Sequence, residues 1–250
     1  MKSVRKKELR TIRVQKNALG TNEEIALKNK TIFGKAFVVN LLSSPGSGKT
    51  SLLEAVIPVL KDAGLKMAVI EGDVDTDLDK KRIDALGVPA YQIVTNGTCH
   101  LDARMVNNSL GRLDIKNADV IFIENVGNLV CPTSFNLGED IKAVVLSVTE
   151  GDDKPLKYPA AFYKSRVLII NKTDLLPFLK ADLERIIKNA LSVNKDLKIF
   201  ETSCYGIPKD SPAGSACDKG MLGFAGFIKE SVRSKTARLQ GAFLNKGLGI

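Results

Sequence analysis

No run of apolar residues approaches the ~20 that a membrane-spanning helix needs. The N-terminal MKSVRKKELR is charged, with no apolar stretch after it. Neither a membrane span nor a secretory leader is expected, and the reading is a cytoplasmic protein. Cysteine is scarce: Cys99, Cys131, Cys204 and Cys217 do not make a short-chain disulfide framework, and in a reducing compartment they are thiols or metal ligands. Histidine occurs once, as His100, directly after Cys99. Internal repeats and low-complexity tracts are missing, which leaves solenoids and compositionally biased linkers out of consideration.

What is present suits one α/β domain. The chain has 250 residues, 44% of them hydrophobic, enough to bury a sizeable core. The formal net charge is +9, and most of the excess lies at the ends: residues 1–10 and residues 229–250 each carry a net +4. Basic ends can touch nucleic acid or acidic partners, but a solvated terminal helix is the commoner explanation. The division expected is a helical N-terminal extension over 1–35, a nucleotide-binding domain over 36–228, and a basic helix or tail over 229–250.

From Lys35 onward, strand and helix patterns alternate, as in a mainly parallel sheet covered on both faces. Strands are expected at Ala36–Leu42, Lys66–Glu71, Tyr91–Thr95, Val120–Glu124, Ala143–Thr149, Arg166–Ile170 and Leu197–Glu201. Helical patterns fall at Lys49–Ala63, Leu78–Leu86, Leu101–Leu110, Pro155–Ala161, Leu179–Leu191 and Met221–Leu239. A short one covers Asn22–Leu27. Gly206 to Gly220 reads as loop, and fraying is expected from Gly241.

The stretch FVVNLLSSPGSGKTSLL, Phe37 to Leu53, is an apolar strand, a Gly/Ser turn and a helix start. Small residues at Ser44, Gly46, Ser47 and Gly48 let consecutive backbone N–H groups curl around phosphate oxygens; Lys49 follows the charge onto the outer phosphates and Thr50 holds Mg²⁺. Ser43 stands where the usual pattern has its first glycine. In such sheets ligands bind beyond the carboxyl ends of the strands. There Glu71-Gly72-Asp73-Val74-Asp75-Thr76-Asp77 offers Asp73 for Mg²⁺ or for orienting water, with Thr76 or Asp77 as a helix cap. Glu124-Asn125-Val126-Gly127-Asn128 has the form of a switch, with a carboxylate for Mg²⁺ and a glycine whose N–H can meet a γ-phosphate.

Asn171-Lys172-Thr173-Asp174 follows a late strand. The Asp174 carboxylate can accept from guanine N1–H and its exocyclic amine, a donor pair that adenine lacks. Asn171 reads the O6/N7 side and the Lys172 stem covers the ring. The bland alternative is a helix start capped by Thr173 or Asp174. Phe200–Gly206 would then add backbone contacts to the base. Thiolate and imidazole at Cys99, His100 and Cys131 suit Ni²⁺ or Zn²⁺. Equally, cysteine is often a small buried hydrophobe and a lone histidine at a helix start is often structural.

Together, NLLSSPGSGKTSLLE, VIEGDVDTD, GTCHLDARMV, FIENVGNLVCP and NKTDLLP resemble the hydrogenase-maturation GTPases of the HypB family, nickel-incorporation accessory proteins in the SIMIBI class of P-loop GTPases. The resemblance covers about residues 10–205. It implies GTP hydrolysis with Mg²⁺ and a GTP-dependent homodimer. It also implies a Ni²⁺ or Zn²⁺ site made by Cys99, His100 and Cys131 near the dimer interface. By the same carry-over Ser44, Gly46, Ser47, Gly48, Lys49, Thr50 and Ser51 cradle phosphate, Thr50, Asp73 and Glu124 serve Mg²⁺, and Asn171, Lys172 and Asp174 read guanine. Lys49, Asp73 and Glu124 are the catalytic candidates, and Asp75 could orient water by proximity alone. A nickel-delivering accessory protein and the hydrogenase large subunit are the implied partners.

The sequence lacks the N-terminal histidine-rich or cysteine motif of many members, reads Ser203-Cys204-Tyr205-Gly206 where S-A-K is usual, and departs from the pattern after Ser211. Two other readings remain: a related GTPase serving urease or a cobalamin enzyme, and a basic nucleic-acid-associated regulator.

Overall fold

The computed structural model describes residues 19–74, 78–204 and 219–247. The expectations placed on residues 1–18, Asp75, Thr76, Asp77, Tyr205–Cys217 and the last three residues lie outside these. Seven strands form a single parallel sheet in the order β3-β2-β4-β1-β5-β6-β7. They are β1 (Phe37–Ser43), β2 (Met67–Asp73), β3 (Ala90–Val94), β4 (Val120–Glu124), β5 (Ile141–Ser147), β6 (Val167–Asn171) and β7 (Lys198–Glu201). All seven expected strands are present. β2 and β6 run a little further than expected, so Asp73 and Asn171 are their final residues.

β1 is buried at every position, as a central strand covered on both faces must be. Alternate side chains divide between two layers. Phe37, Val39 and Leu41 pack with Leu52, Leu53 and Val56 of α2 (Lys49–Asp62) and with Met221, Phe224 and Ile228 of α8 (Lys219–Gly247). On the other face, Val38, Ile121 and Ile123 pack with Leu101, Val106 and Leu110. Further along the sheet, Leu42, Val144 and Leu168 meet Phe162, Ile186 and Ala190. Burying a leucine or phenylalanine is worth about 2 kcal/mol, so these layers fix where each strand ends, and with it the loops that carry chemistry.

The helices sharpen the sequence reading. α1 occupies 19–33, longer than the Asn22–Leu27 stretch, and lies against α4 (Ala103–Leu110) and the Asn136–Leu137 segment beyond β4. α3 is Leu78–Asp84. α4 begins at Ala103 rather than Leu101, because the Asp102 side chain accepts from Met105 N and caps it. The segment Pro155–Ala161 is two short helices, α5 (Lys154–Lys157) and α6 (Pro159–Tyr163). Pro159 cannot supply an N–H inside a continuous helix. α7 is Leu183–Val193, capped by Asp182, and Leu179 stays outside it. α8 continues through Gly241 to Gly247, where fraying was expected; one glycine costs a helix only about 1 kcal/mol.

Candidate functional site

The carboxyl ends of β1, β2, β4 and β6 open on one edge of the sheet. Between β1 and α2, the phosphate-type loop turns on Gly48, which has φ 93 and ends the loop as the N-cap of α2. A Cβ there would lie 2.5 Å from Asn171 Nδ2, so glycine is required both by conformation and by the approach of the Asn171 loop. No side chain caps α2, which leaves its first N–H groups facing the loop, as an anion site requires. Lys49 is nearly buried; its Nζ donates to Ser43 Oγ at 2.7 Å and stands 3.7 Å from Glu124 Oε1. The Ser47 hydroxyl lies 2.7 Å from Ser44 O and 2.6 Å from Glu150 Oε1. Arg82 of α3 donates to Ser51 Oγ at 3.0 Å and pairs with Glu54, tying α3 to α2 beside the loop.

Thr50 Oγ1 donates to Glu124 Oε1 at 3.0 Å. Asp73, at the end of β2, is half-buried and its Oδ1 takes the Val74 N–H. The unforeseen member is Glu71, which pairs in register with Glu124 across β2 and β4 and is 2% exposed. Two carboxylates so close and so buried do not both ionise at little cost. Burial first, and then the Glu124 charge, hold Glu71 well above the usual carboxylate range. Burial also raises Glu124, opposed by Lys49. A protonated Glu71 therefore donates to Glu124. With both ionised, Glu71 Oε1 and Glu124 Oε2 are buried oxygens with no donor. A proton satisfies them, and a divalent cation beside Thr50 is the other way to do so.

The N-K-x-D residues close over the same loop. Asn171 Nδ2 donates to Ser47 O at 2.9 Å, and Lys172 Nζ to Gly46 O at 2.7 Å. Lys172 has φ 63, an uncommon conformation for a non-glycine residue. Neither Thr173 nor Asp174 caps the 3₁₀ turn Thr173–Phe178; Asp174 Oδ1 instead accepts from Ser203 Oγ at 2.6 Å. Thr202 Oγ1 and Cys204 Sγ both face Asn171 Oδ1, at 3.1 and 3.4 Å. The strand-end loops of β6 and β7 thus meet the phosphate-type loop directly.

Cys99, His100 and Cys131 come together, their ligand atoms all within 4.8 Å of one another. Cys99 Sγ lies 3.8 Å from His100 Nδ1, close to the ~3.6 Å that separates S and N ligands around a tetrahedral ion. The His100 ring stacks on Phe135, with centroids 4.1 Å apart and planes 23° apart. Burial lowers the pKa of His100, with Asp102 opposing, which favours the neutral imidazole that metals bind. The facing Cys99, through a hydrogen bond, and then burial push the Cys131 thiol up. Cys131 opens a 3₁₀ turn, Cys131–Ser134.

The two sites are physically joined. Gly127 lies against the phosphate-type loop so closely that a Cβ would sit 2.9 Å from Pro45 Cα, and Ser43 forms an antiparallel bridge with Asn128. Asn125, 1% exposed, accepts from Leu101 N at 3.1 Å and Val126 N at 3.0 Å, and donates to Asn40 Oδ1 at 3.2 Å. Asn40 is a buried polar residue in the middle of β1, and the partnership explains it. The sequence places Asn125 inside the switch motif but gives no sign of its partner Leu101, immediately after His100.

A parallel sheet of this order, with a Gly48-Lys49-Thr50 loop after its central strand, defines a P-loop nucleotide-binding fold of the SIMIBI type. A sequence profile of the CobW/HypB/UreG nucleotide-binding domain matches residues 37–201. Hydrogenase maturation factor HypB of Azotobacter vinelandii is 52% identical over 196 residues, which cover 78% of this chain and 64% of that protein. Among solved structures, HypB from Helicobacter pylori in complex with nickel is 35% identical with a TM-score of 0.75, covering 86% of this chain and 96% of that one. HypB from Archaeoglobus fulgidus is 32% identical, also with a TM-score of 0.75, covering 85% and 99%. The chain belongs to the HypB family within the CobW/HypB/UreG group. It spans about two thirds of the length of the Azotobacter relative.

Proposed function

We propose that this chain is a GTP-hydrolysing metallochaperone that binds nickel or zinc and assists nickel insertion during [NiFe]-hydrogenase maturation. The observation that carries the reading is the convergence of Cys99, His100 and Cys131 on segments joined to a phosphate-type loop through Gly127 and Asn128. The nickel complex of the Helicobacter relative supports it.

In this reading the N–H groups around Ser44–Thr50 and Ser51 bind phosphate, with Lys49 moving from Ser43 to the outer phosphates. Asn171, Lys172 and Asp174 select guanine once a base displaces Ser203 from Asp174. Thr50, Glu124 and Asp73 hold Mg²⁺, which when bound neutralises developing phosphate charge. Gly127 then follows the γ-phosphate and carries Asn128, Val130 and Cys131 with it. Nucleotide state thereby sets the geometry at Cys99, His100 and Cys131 and the affinity of a GTP-dependent homodimer. Three ligands leave a position for a partner copy, water or thiol. A nickel-delivering accessory protein and the hydrogenase large subunit are the proposed partners and the cytoplasm the proposed location. The GTPase domain is proposed to run over 36–228, with the extension 1–35 before it and the basic helix or tail 229–250 after it; α8 runs unbroken across the second of these limits.

The test is a Ni²⁺ titration of the purified chain with GDP and with a non-hydrolysable GTP analogue, read by absorbance and by size. A thiolate-to-nickel charge-transfer band that changes with nucleotide is expected. Its absence in both states would overturn the metal reading.

A further inference from the structure

α1 presents two asparagines on one face, Asn22 and Asn29, two helical turns apart. Both are buried, at 6% and 0% exposure, and both reach the same two segments. Asn22 Oδ1 accepts from Ala103 N at 2.8 Å, and its Nδ2 donates to Asn136 O at 2.8 Å. Asn29 Nδ2 donates to Ala103 O at 2.8 Å and to Leu137 O at 3.0 Å, while its Oδ1 accepts from Asn107 Nδ2 at 2.8 Å. Ala103 therefore has both of its backbone groups held by α1.

These segments are the continuations of the two metal-ligand segments. Ala103 opens α4 just after Cys99-His100, beyond the capping Asp102. Asn136 and Leu137 directly follow Phe135, whose ring lies on His100 and whose segment begins at Cys131. Apolar side chains would suffice to pack a helix against two loops. Burying amides instead is costly unless each of their polar atoms is satisfied, and when satisfied they fix register rather than mere proximity. The hydrogen bonds of Asn22 and Asn29 all go to this side of the molecule and none to the phosphate-type loop.

We propose that Asn22 and Asn29 are positioning residues of the metal site: α1 is a clasp that sets the distance between the Cys99–His100 segment and the Cys131–Phe135 segment. The inference rests on the metal reading above. Neither asparagine touches a ligand; they act on ligand geometry through the backbone, as outer partners of metal ligands do. Loosening the clasp lets the two segments drift apart and weakens the ion's hold while nucleotide binding persists.

The experiment is Ni²⁺ titration of the GDP-loaded full chain, read by the charge-transfer band, alongside fluorescent-GDP affinity. The variants are Asn29→Ala, Asn22→Asp and, as a control on the exposed side of α1, Thr31→Ala, whose hydroxyl donates to Leu27 O of the same helix. Asn22→Asp keeps the acceptor for Ala103 N and removes the donor to Asn136 O, so it loosens the clasp on the Cys131 side only, where the bond of Asn29 to Leu137 O remains. Expected are a loss of Ni²⁺ affinity of roughly tenfold or more and a shifted band for Asn29→Ala and Asn22→Asp. GDP affinity stays at the wild-type value, and Thr31→Ala, which leaves every bond of Asn22 and Asn29 in place, binds Ni²⁺ as wild type. If Asn29→Ala fails to bind GDP, it has not folded and Asn22→Asp decides the matter. Wild-type Ni²⁺ affinity and an unshifted band in a variant that binds GDP overturn the clasp alone. No band in the wild-type chain overturns the metal reading and the clasp together.

Discussion

The nucleotide end and the metal end are ordered in opposite ways. Around the phosphate-type loop the side chains hold one another: Lys49 on Ser43, Thr50 on Glu124, Asn171 and Lys172 on loop carbonyls, Asp174 on Ser203. At the metal end, Cys99 is exposed and its distance to His100 is long for a hydrogen bond; order lies in the backbone beneath, pinned by Asn125 and by α1. A site that must exchange a nucleotide can keep its side chains occupied with placeholders. At the proposed metal site the order lies in the framework, while the candidate ligands touch chiefly one another and the Phe135 ring.

The largest effects should come from removing one end and asking whether the other survives. Lys49→Ala takes away a buried cation that faces Glu124. Losing such a charge-assisted contact with phosphate is worth about 3 kcal/mol, roughly a hundredfold in nucleotide affinity. Ni²⁺ binding to the nucleotide-free chain should be unaltered. Cys131→Ala should do the reverse, abolishing the charge-transfer band and leaving GDP affinity within about twofold, since its Sγ meets Cys99 and the Asn128 side chain rather than the phosphate-type loop itself. Fluorescent-GDP titration and absorbance on both variants check this. Loss of both functions in either variant would erase the distinction between the two ends.

The degree to which these regions were legible in the sequence follows the range of the interactions. The five inner strands could be read because each is a short apolar run largely buried on both faces, a local signal; the edge strands β3 and β7 are only partly covered and show as shorter apolar runs at the expected spacing. The phosphate-type loop and Asn171–Asp174 were readable for the same reason, since each packs its chemistry into consecutive residues. Glu71 was not, because its meaning comes from standing opposite Glu124 in the β2–β4 register, which no single segment encodes. Asn125 and the α1 asparagines escaped likewise: their long-range partners are 24 to 114 residues away. The helix limits misread at Leu101, Leu179 and Gly241 show local rules yielding to a cap on one side and to good helix formers on the other.

A smaller effect should come from the hinge between the ends. Gly127→Ala places a Cβ 2.9 Å from Pro45 Cα and 3.0 Å from Pro45 N, backbone atoms that cannot step aside cheaply. The loop after β4 must then withdraw from the phosphate-type loop. A loss of about 1.4 kcal/mol, or tenfold, in affinity for the GTP analogue is expected, with less change for GDP. The more telling readout is the nickel band, which should form with wild-type intensity but stop responding to nucleotide. A band that still shifts between GDP and the analogue would show that the signal travels by another route, with the Asn125–Leu101 hydrogen bond the alternative path.

The smallest effect concerns the buried pair, and its sign can be worked out. Glu71 has a pKa well above the ordinary glutamate range in the folded chain, from burial and from Glu124. The folded state therefore keeps a proton that the unfolded chain gives up. Stability from this group is fully present below the unfolded glutamate pKa and is lost as pH rises toward the folded value. Glu124 is raised as well and adds a decline of the same sign. Glu71→Gln keeps a donor for Glu124 and removes the titration. The nucleotide-free variant should then be more stable than wild type at pH 8, with the gap closing as pH falls to the ordinary glutamate range. Chemical denaturation across that range measures the difference. In wild type, Mg²⁺ with GDP should flatten the same decline, because a cation beside Glu124 favours the ionised carboxylate that the proton otherwise opposes. A pH slope identical in wild type and Glu71→Gln would mean that the pair holds no proton, and that the nucleotide end is less tightly self-engaged than its contacts indicate.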